Sequence, residues 1–221
     1  VLHALKRSGI TLYGYTEQSY ASAKRKPSIP AIEYPADPAY CHAKMATVGA
    51  AEMKILQDES AYLNDKILNA SMCQYVIGSG YYPMSTYLAS KGMSDEGFER
   101  LERWFKLDRD IVPKGVKNIM GMKGMIVPYN EHGIHWTVAM VDFASHKIVY
   151  YDSLYKSGSS QVHKLVNFIL DYLNMESKST YKGKVPFRFD RKEWKVVIED
   201  TPRQSDAWNC GVYSIMRVRK W

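Results

Sequence analysis

Four side chains in this sequence have the types and spacing to carry out acyl transfer: Cys210, His135, Asp152 and Gln204. Cys210 stands in "QSDAWNCGVYSIM", between a polar, turn-prone run and an apolar segment whose Val212, Ile215 and Met216 recur at helical spacing. That pattern puts the cysteine at a helix N-terminus, where unpaired N–H groups and the positive end of the dipole favour a thiolate over a thiol. A lone cysteine is more often a small buried apolar residue, so position alone does not assign it a reaction.

A cysteine nucleophile needs an imidazole in reach, and the imidazole needs an acceptor to orient it. His135 opens the apolar run "HWTVAMVDF" and Asp152 closes "KIVYYDS", two strand-like segments joined by "FASH". Pairing them as a hairpin with a two-residue loop places the histidine and aspartate directly opposite. A four-residue loop makes them diagonal neighbours on one face, and a three-residue loop sends them to opposite faces. In the first two cases their β-carbons lie roughly 5 to 8 Å apart, close enough for a carboxylate to hold an imidazole nitrogen. Taken singly, His135 reads as a strand-edge residue and Asp152 as a turn former; only their joint placement goes beyond that. Gln204, six residues before Cys210 in a loop introduced by Pro202, can turn an amide N–H toward the oxyanion formed by thiolate attack.

The elements that must position these residues follow from periodicity. "AKMATVGAAEMKIL" and "LNDKILNASMCQYVI" read as helices, the second ended by Gly78 and Gly80, and Ser94 with Asp95 and Glu96 resembles a cap opening a third, "DEGFERLERWF". "GMIVPYN", "HWTVAMVDF", "KIVYYDS" and "EWKVVIED" read as strands, and Val162, Leu165, Val166, Ile169 and Leu173 form the longest helical stripe. Helices first, then a mostly antiparallel sheet with a helix inserted, gives an α+β domain. Residues 1–43 hold "KRKPSIPAIEYPADP" and read as an irregular arm or linker, leaving 44–221 as the folded domain.

Composition narrows the alternatives. With 221 residues, 46% of them hydrophobic, the chain can fill a sizeable core. No stretch is long and apolar enough to span a membrane. Three widely spaced cysteines do not resemble a secreted disulfide framework and point to a reducing compartment. The net charge of +7 is spread along the chain, so Lys24, Arg25, Lys26 and the terminal "RVRK" read as solvated surface and no nucleic acid is required. His132, His135, Cys41 and His42 lack any paired zinc-ligand spacing, and "GMKGM" lacks the lysine of a phosphate loop, so neither metal nor cofactor is expected.

Together these motifs resemble the ubiquitin-like-protein-specific cysteine proteases, also called SUMO or sentrin proteases. The family pattern is a His-Trp pair on one strand, an Asp ending the next, and a Pro-x-Gln loop leading to Cys-Gly, matched here by "HWTVAMVDF", "YYDSL" and "PRQSDAWNCGV". "YLNDKILNASM" is similar to the N-terminal signature, and the likeness runs from about Glu59 to the end. The resemblance implies a papain-like α+β fold with a mixed, largely antiparallel sheet flanked by helices and the nucleophile at a helix N-terminus. It implies Cys210 as nucleophile, His135 as base, Asp152 orienting it and Gln204 in the oxyanion hole. Trp136 and Tyr62 correspond to aromatic residues roofing a tunnel that admits only a Gly-Gly tail, and Asp65 to an acid that pairs with a basic residue of the modifier. The implied reaction is hydrolysis after the C-terminal Gly-Gly of a ubiquitin-like modifier, SUMO first, by a monomer in the nucleus or cytoplasm. Ubiquitin or another modifier, an effector-type acetyltransferase and an inactive binding module are the alternatives. The chain departs from the pattern at Asn209, where aspartate is usual, at Asp206, where asparagine is common, and at Tyr62, where the roof is usually tryptophan. About ten extra residues lie near "DIVPKGVKNIMGMK", and the family's further C-terminal helices have no counterpart after "CGVYSIMRVRKW".

Overall fold

The structure is a computed structural model, described here for residues 48–76, 78–93, 116, 118–156, 160–178, 188–199 and 202–221. The arm expected over residues 1–43 and the helix expected from Ser94 lie outside the described residues. The helices are α1 (Ala50–Gln57), α2 (Asp65–Val76), α3 (Thr86–Gly92), α4 (Val162–Lys178) and α5 (Cys210–Arg219). The strands are β1 (Tyr81–Pro83), β2 (Gly124–Glu131), β3 (His135–Asp142), β4 (Lys147–Tyr151) and β5 (Lys195–Glu199), in one sheet of order β1-β2-β3-β4-β5.

The sheet is antiparallel at its centre, where β2 pairs β3 and β3 pairs β4, and parallel at both edges, where β1 pairs β2 and β4 pairs β5. The parallel edges differ from a simple run of hairpins because a parallel pair needs a long crossover. Helix α3 lies in the first connection and α4 in the second. Neither β1 nor α3 is apparent from the sequence, since three and seven residues are too few for a period to declare itself.

Helices cover both faces, and the pleat of β3 sorts its side chains between two cores. Ala139 and Val141 join a cluster with Leu165, Ile169 and Leu173 of α4. Trp136, Val138 and Met140 join the other, with Ile67 and Leu68 of α2 and Val212 and Ile215 of α5. The apolar stripe of α4 is buried as its spacing predicts. Close approach demands glycine at one position and favours it at another. A β-carbon on Gly124 would come 1.9 Å from the Val141 carbonyl oxygen, so the β2–β3 pairing admits no side chain there. One on Gly211 would lie 3.0 to 3.2 Å from Leu63 and Leu68, which accounts for the glycine after Cys210: it lets the start of α5 sit against α2.

Candidate active site

Register places the first pair. The β3–β4 turn is Phe143 to His146, and Val138 faces Tyr151, so paired positions sum to 289. This is the four-residue loop among the alternatives, and it makes His135 and Asp152 diagonal neighbours on one face. His135 Nε2 donates to Asp152 Oδ1 at 2.9 Å, with the aspartate fully buried and the histidine 7% exposed. The same carboxylate oxygen accepts from the backbone N–H groups of Leu154 and Tyr155 at 2.8 and 3.0 Å, and Oδ2 accepts from the Tyr150 hydroxyl at 3.3 Å. The turn after β4 thus wraps around the carboxylate and fixes it.

Cys210 begins α5 and is completely buried. Its side chain lies close enough to the His135 imidazole to help raise that group's pKa. With Nε2 committed to Asp152, Nδ1 is the ring nitrogen left for the sulfur. The elements deliver the three groups to one point: β3 and β4 the dyad, α5 the thiol, with α5 packed on β3 through Val212 and Ile215.

Charge follows from this geometry. Burial alone would depress the His135 pKa, but hydrogen bonds to Asp152 and Cys210, and the charges of both, outweigh it and push it up to about 9. Burial works in the opposite sense on Asp152, yet the His135 hydrogen bond and the two backbone N–H groups hold its carboxyl below the ordinary value of 3.8. At neutral pH the site is an imidazolium held by a carboxylate.

These shifts set a sign for stability. His135 holds its proton more tightly folded than unfolded, so its contribution is full below its ordinary value of 6.5 and disappears as pH rises through about 9. The Asp152 contribution is full above 3.8 and is lost as pH falls through its depressed value. Both belong to one ion pair and count once. Denaturant midpoints compared with those of a His135→Gln variant are expected to converge between pH 6.5 and about 9. A constant difference across that window would contradict the assigned charge.

The loop 202–209 carries the fourth group. The Gln204 backbone N–H donates to the Ser153 carbonyl at 3.0 Å, and the Ser153 hydroxyl donates to Gln204 Oε1 at 2.6 Å. Gln204 Nε2 donates to the Asp206 carbonyl at 2.7 Å. A main-chain carbonyl can only accept, so the amide nitrogen must face it and the amide oxygen faces Ser153. The Tyr151 hydroxyl holds the Pro202 carbonyl at the far end of the loop.

The three residues given substrate-side roles are differently placed. Trp136 is 1% exposed, packed on the face of β3 opposite His135, and its Nε1 donates to the Leu63 carbonyl at 2.6 Å. Its neighbour in that chain segment, Tyr62, is 47% exposed. The indole therefore fixes the backbone that presents Tyr62. Asp65, in the first turn of α2, lies beside the Tyr87 hydroxyl, whose pKa is raised by burial first and by the Asp65 charge and hydrogen bond after it.

Sequence reasoning missed Ser153 and Tyr155. The Tyr155 ring stands edge-on to the His135 ring with centroids 5.6 Å apart. Both lie within three residues after Asp152, and the available signal was that the residues after a strand-ending aspartate must turn back over it. Among the described residues no group of three or more His, Cys, Asp or Glu is placed to hold a metal ion.

A five-stranded mixed sheet between helices, with a cysteine at a helix N-terminus facing a histidine and aspartate on adjacent strands, defines a papain-like cysteine-protease fold. Residues 47–220 match the Ulp1 protease family, C-terminal catalytic domain, and the chain belongs to that family. It is 29% identical over 162 residues to a sentrin-specific protease of Caenorhabditis elegans, covering 69% of this chain and 20% of the relative. It is 25% identical over 181 residues to the ubiquitin-like-specific protease ESD4 of Arabidopsis thaliana, covering 72% and 32%. The chain thus spans a fifth to a third of the length of these curated relatives. The yeast Ulp1 protease domain, solved in complex with Smt3, superposes with a TM-score of 0.67 over 94% of this chain and 84% of that one, at 16% identity.

Proposed function

We propose that this chain is the catalytic part of a thiol isopeptidase that cleaves after the terminal glycine of a SUMO-type modifier, releasing it from conjugates or trimming its precursor. The observation that carries the reading is the buried Cys210–His135–Asp152 array at the start of α5, with Gln204 tethered beside it through Ser153. Family membership and the curated relatives, named for sentrin and ubiquitin-like proteins, support the modifier class. Residues 44–221 are the catalytic domain in this reading. No helix among the described residues is long and apolar enough to cross a membrane. The family resemblance supports a nuclear or cytoplasmic setting.

In the mechanism, the Cys210 sulfur attacks the carbonyl carbon of the scissile bond. The carbonyl oxygen gains the negative charge and is met by the Gln204 amide and the first N–H groups of α5. His135 gives its proton to the departing amine as the C–N bond breaks, leaving a thioester on Cys210. Water, losing a proton to His135, attacks the thioester carbonyl, and the C–S bond breaks to release the modifier's carboxylate and free the Cys210 sulfur. Asp152 keeps the imidazole oriented and stabilises its charged form. Tyr62 flanks the tail, Trp136 holds the segment that bears it, and Asp65 is placed to meet a basic residue of the modifier.

Incubation with SUMO-type modifiers, ubiquitin and other ubiquitin-like proteins carrying C-terminal electrophiles tests the assignment. A covalent adduct on Cys210 with a SUMO-type probe is expected. Adduct formation with ubiquitin alone would move the substrate, and no adduct with any of them would overturn the reading.

A further inference from the structure

We propose that Asp206 is a positioning residue, which holds the N-cap side chain of α5 away from the helix end so that the first N–H groups and Gln204 converge on one oxygen. The inference rests on the protease reading above and concerns how its oxyanion site is assembled. Loop 202–209 contains neither helix nor strand, so side chains must fix it. Asp206 is its hub. Its Oδ1 accepts from the backbone N–H groups of Trp208 and Asn209 at 3.0 and 2.8 Å, and its Oδ2 accepts from Asn209 Nδ2 at 2.7 Å. Its own carbonyl takes the Gln204 amide.

Asn209 is the N-cap of α5, and an asparagine there ordinarily bends back to accept from the second or third N–H of the helix. Here it makes no side-chain cap bond, and its Oδ1 is buried with no hydrogen-bond partner. Drawing Nδ2 to Asp206 swings the amide off the helix end. The N–H groups of the first turn, which a normal cap would occupy, stay clear for a developing negative charge. An uncapped helix and an unpartnered acceptor beside the nucleophile are what this arrangement costs in stability. They make sense if the exposed donors serve the reaction.

Three variants separate this role from ordinary loop packing. Asn209→Asp sets two carboxylates at hydrogen-bond distance, which cannot both be ionised in that contact. Its turnover number is expected to fall about 100-fold with KM within about threefold, as for a misplacement near 1 Å. The rate should partly recover toward acid pH as the pair shares a proton. Exchanging both residues, Asp206→Asn with Asn209→Asp, restores an amide-to-carboxylate bond at unchanged net charge and returns turnover to within about fivefold of the parent. Asn209→Ser can cap α5 but cannot span to Asp206. Its Tm should not fall, and turnover should drop about tenfold because the donors are covered.

Rescue of Asn209→Asp by the exchange, in both Tm and turnover, is the expected result. Failure of the exchange to rescue, or Asn209→Ser turning over like the parent, would overturn the proposal. If the parent hydrolyses no modifier, the protease reading is at fault. The clasp itself is then judged by the Tm cycle alone, where additive losses refute it.

Discussion

Cys210→Ser is expected to lower hydrolysis of a C-terminally fluorogenic modifier about 10^4-fold or more while leaving modifier binding intact. The size follows from the site's charge. His135 is held as an imidazolium by Asp152 and by the sulfur, with a pKa of about 9. A serine hydroxyl is a far weaker nucleophile than a cysteine sulfur and does not replace it beside the imidazolium. Binding should survive because Tyr62 and Asp65, the proposed contacts to the modifier, are untouched. Capture of unlabelled modifier by the variant, with rates from a stopped assay, checks both halves. Turnover above one-hundredth of the parent would remove Cys210 from its role.

Asp152 has the second largest effect, and its hydrogen bonds make the choice of substitution informative. Asp152 Oδ1 accepts from two backbone N–H groups as well as from His135. In Asp152→Asn the amide oxygen must stay at that position, because an NH2 group there would face three donors. The imidazole keeps its acceptor and its tautomer, and only the charge is lost. Turnover is expected to fall about 100-fold, less than the ~10^4-fold typical where the same exchange leaves the wrong tautomer. The alkaline limb of the pH–rate profile should move down from about 9. Asp152→Ala, which removes the acceptor as well, should cost about another tenfold. Parent-like turnover in Asp152→Asn, with an unmoved alkaline limb and a loss confined to Asp152→Ala, would mean that Asp152 acts by position alone.

How much of this was legible in the sequence depends on how local each interaction is. The His135–Asp152 contact was, because a hairpin fixes register from turn length; only the choice among loop lengths waited on the structure. Cys210 at a helix start was readable from the glycine and the apolar spacing after it. Gln204 stood out only beside Cys210 and through the family resemblance, since by itself it reads as an ordinary polar side chain on the surface. The Ser153–Gln204 tether joins residues 51 apart and left no trace in either segment. Trp136 was expected at a tunnel roof by resemblance, and its burial depends on α2 and α5 closing over it, which no strand pattern encodes. The parallel edges escaped for a similar reason: β1 is three residues long and exists because β2 offers it a partner.

The arrangement around Trp136 joins parts of the molecule that the chain keeps far apart. Its indole belongs to the same strand as His135, yet its one polar atom grips the backbone at Leu63, just before α2, and α5 closes over it with Cys210 at its tip. A single aromatic ring is thus the keystone between the wall that bears Tyr62 and the floor that carries Cys210 and His135. Under the proposed function, slackening there would loosen recognition and chemistry in step, leaving little freedom to retune one without disturbing the other.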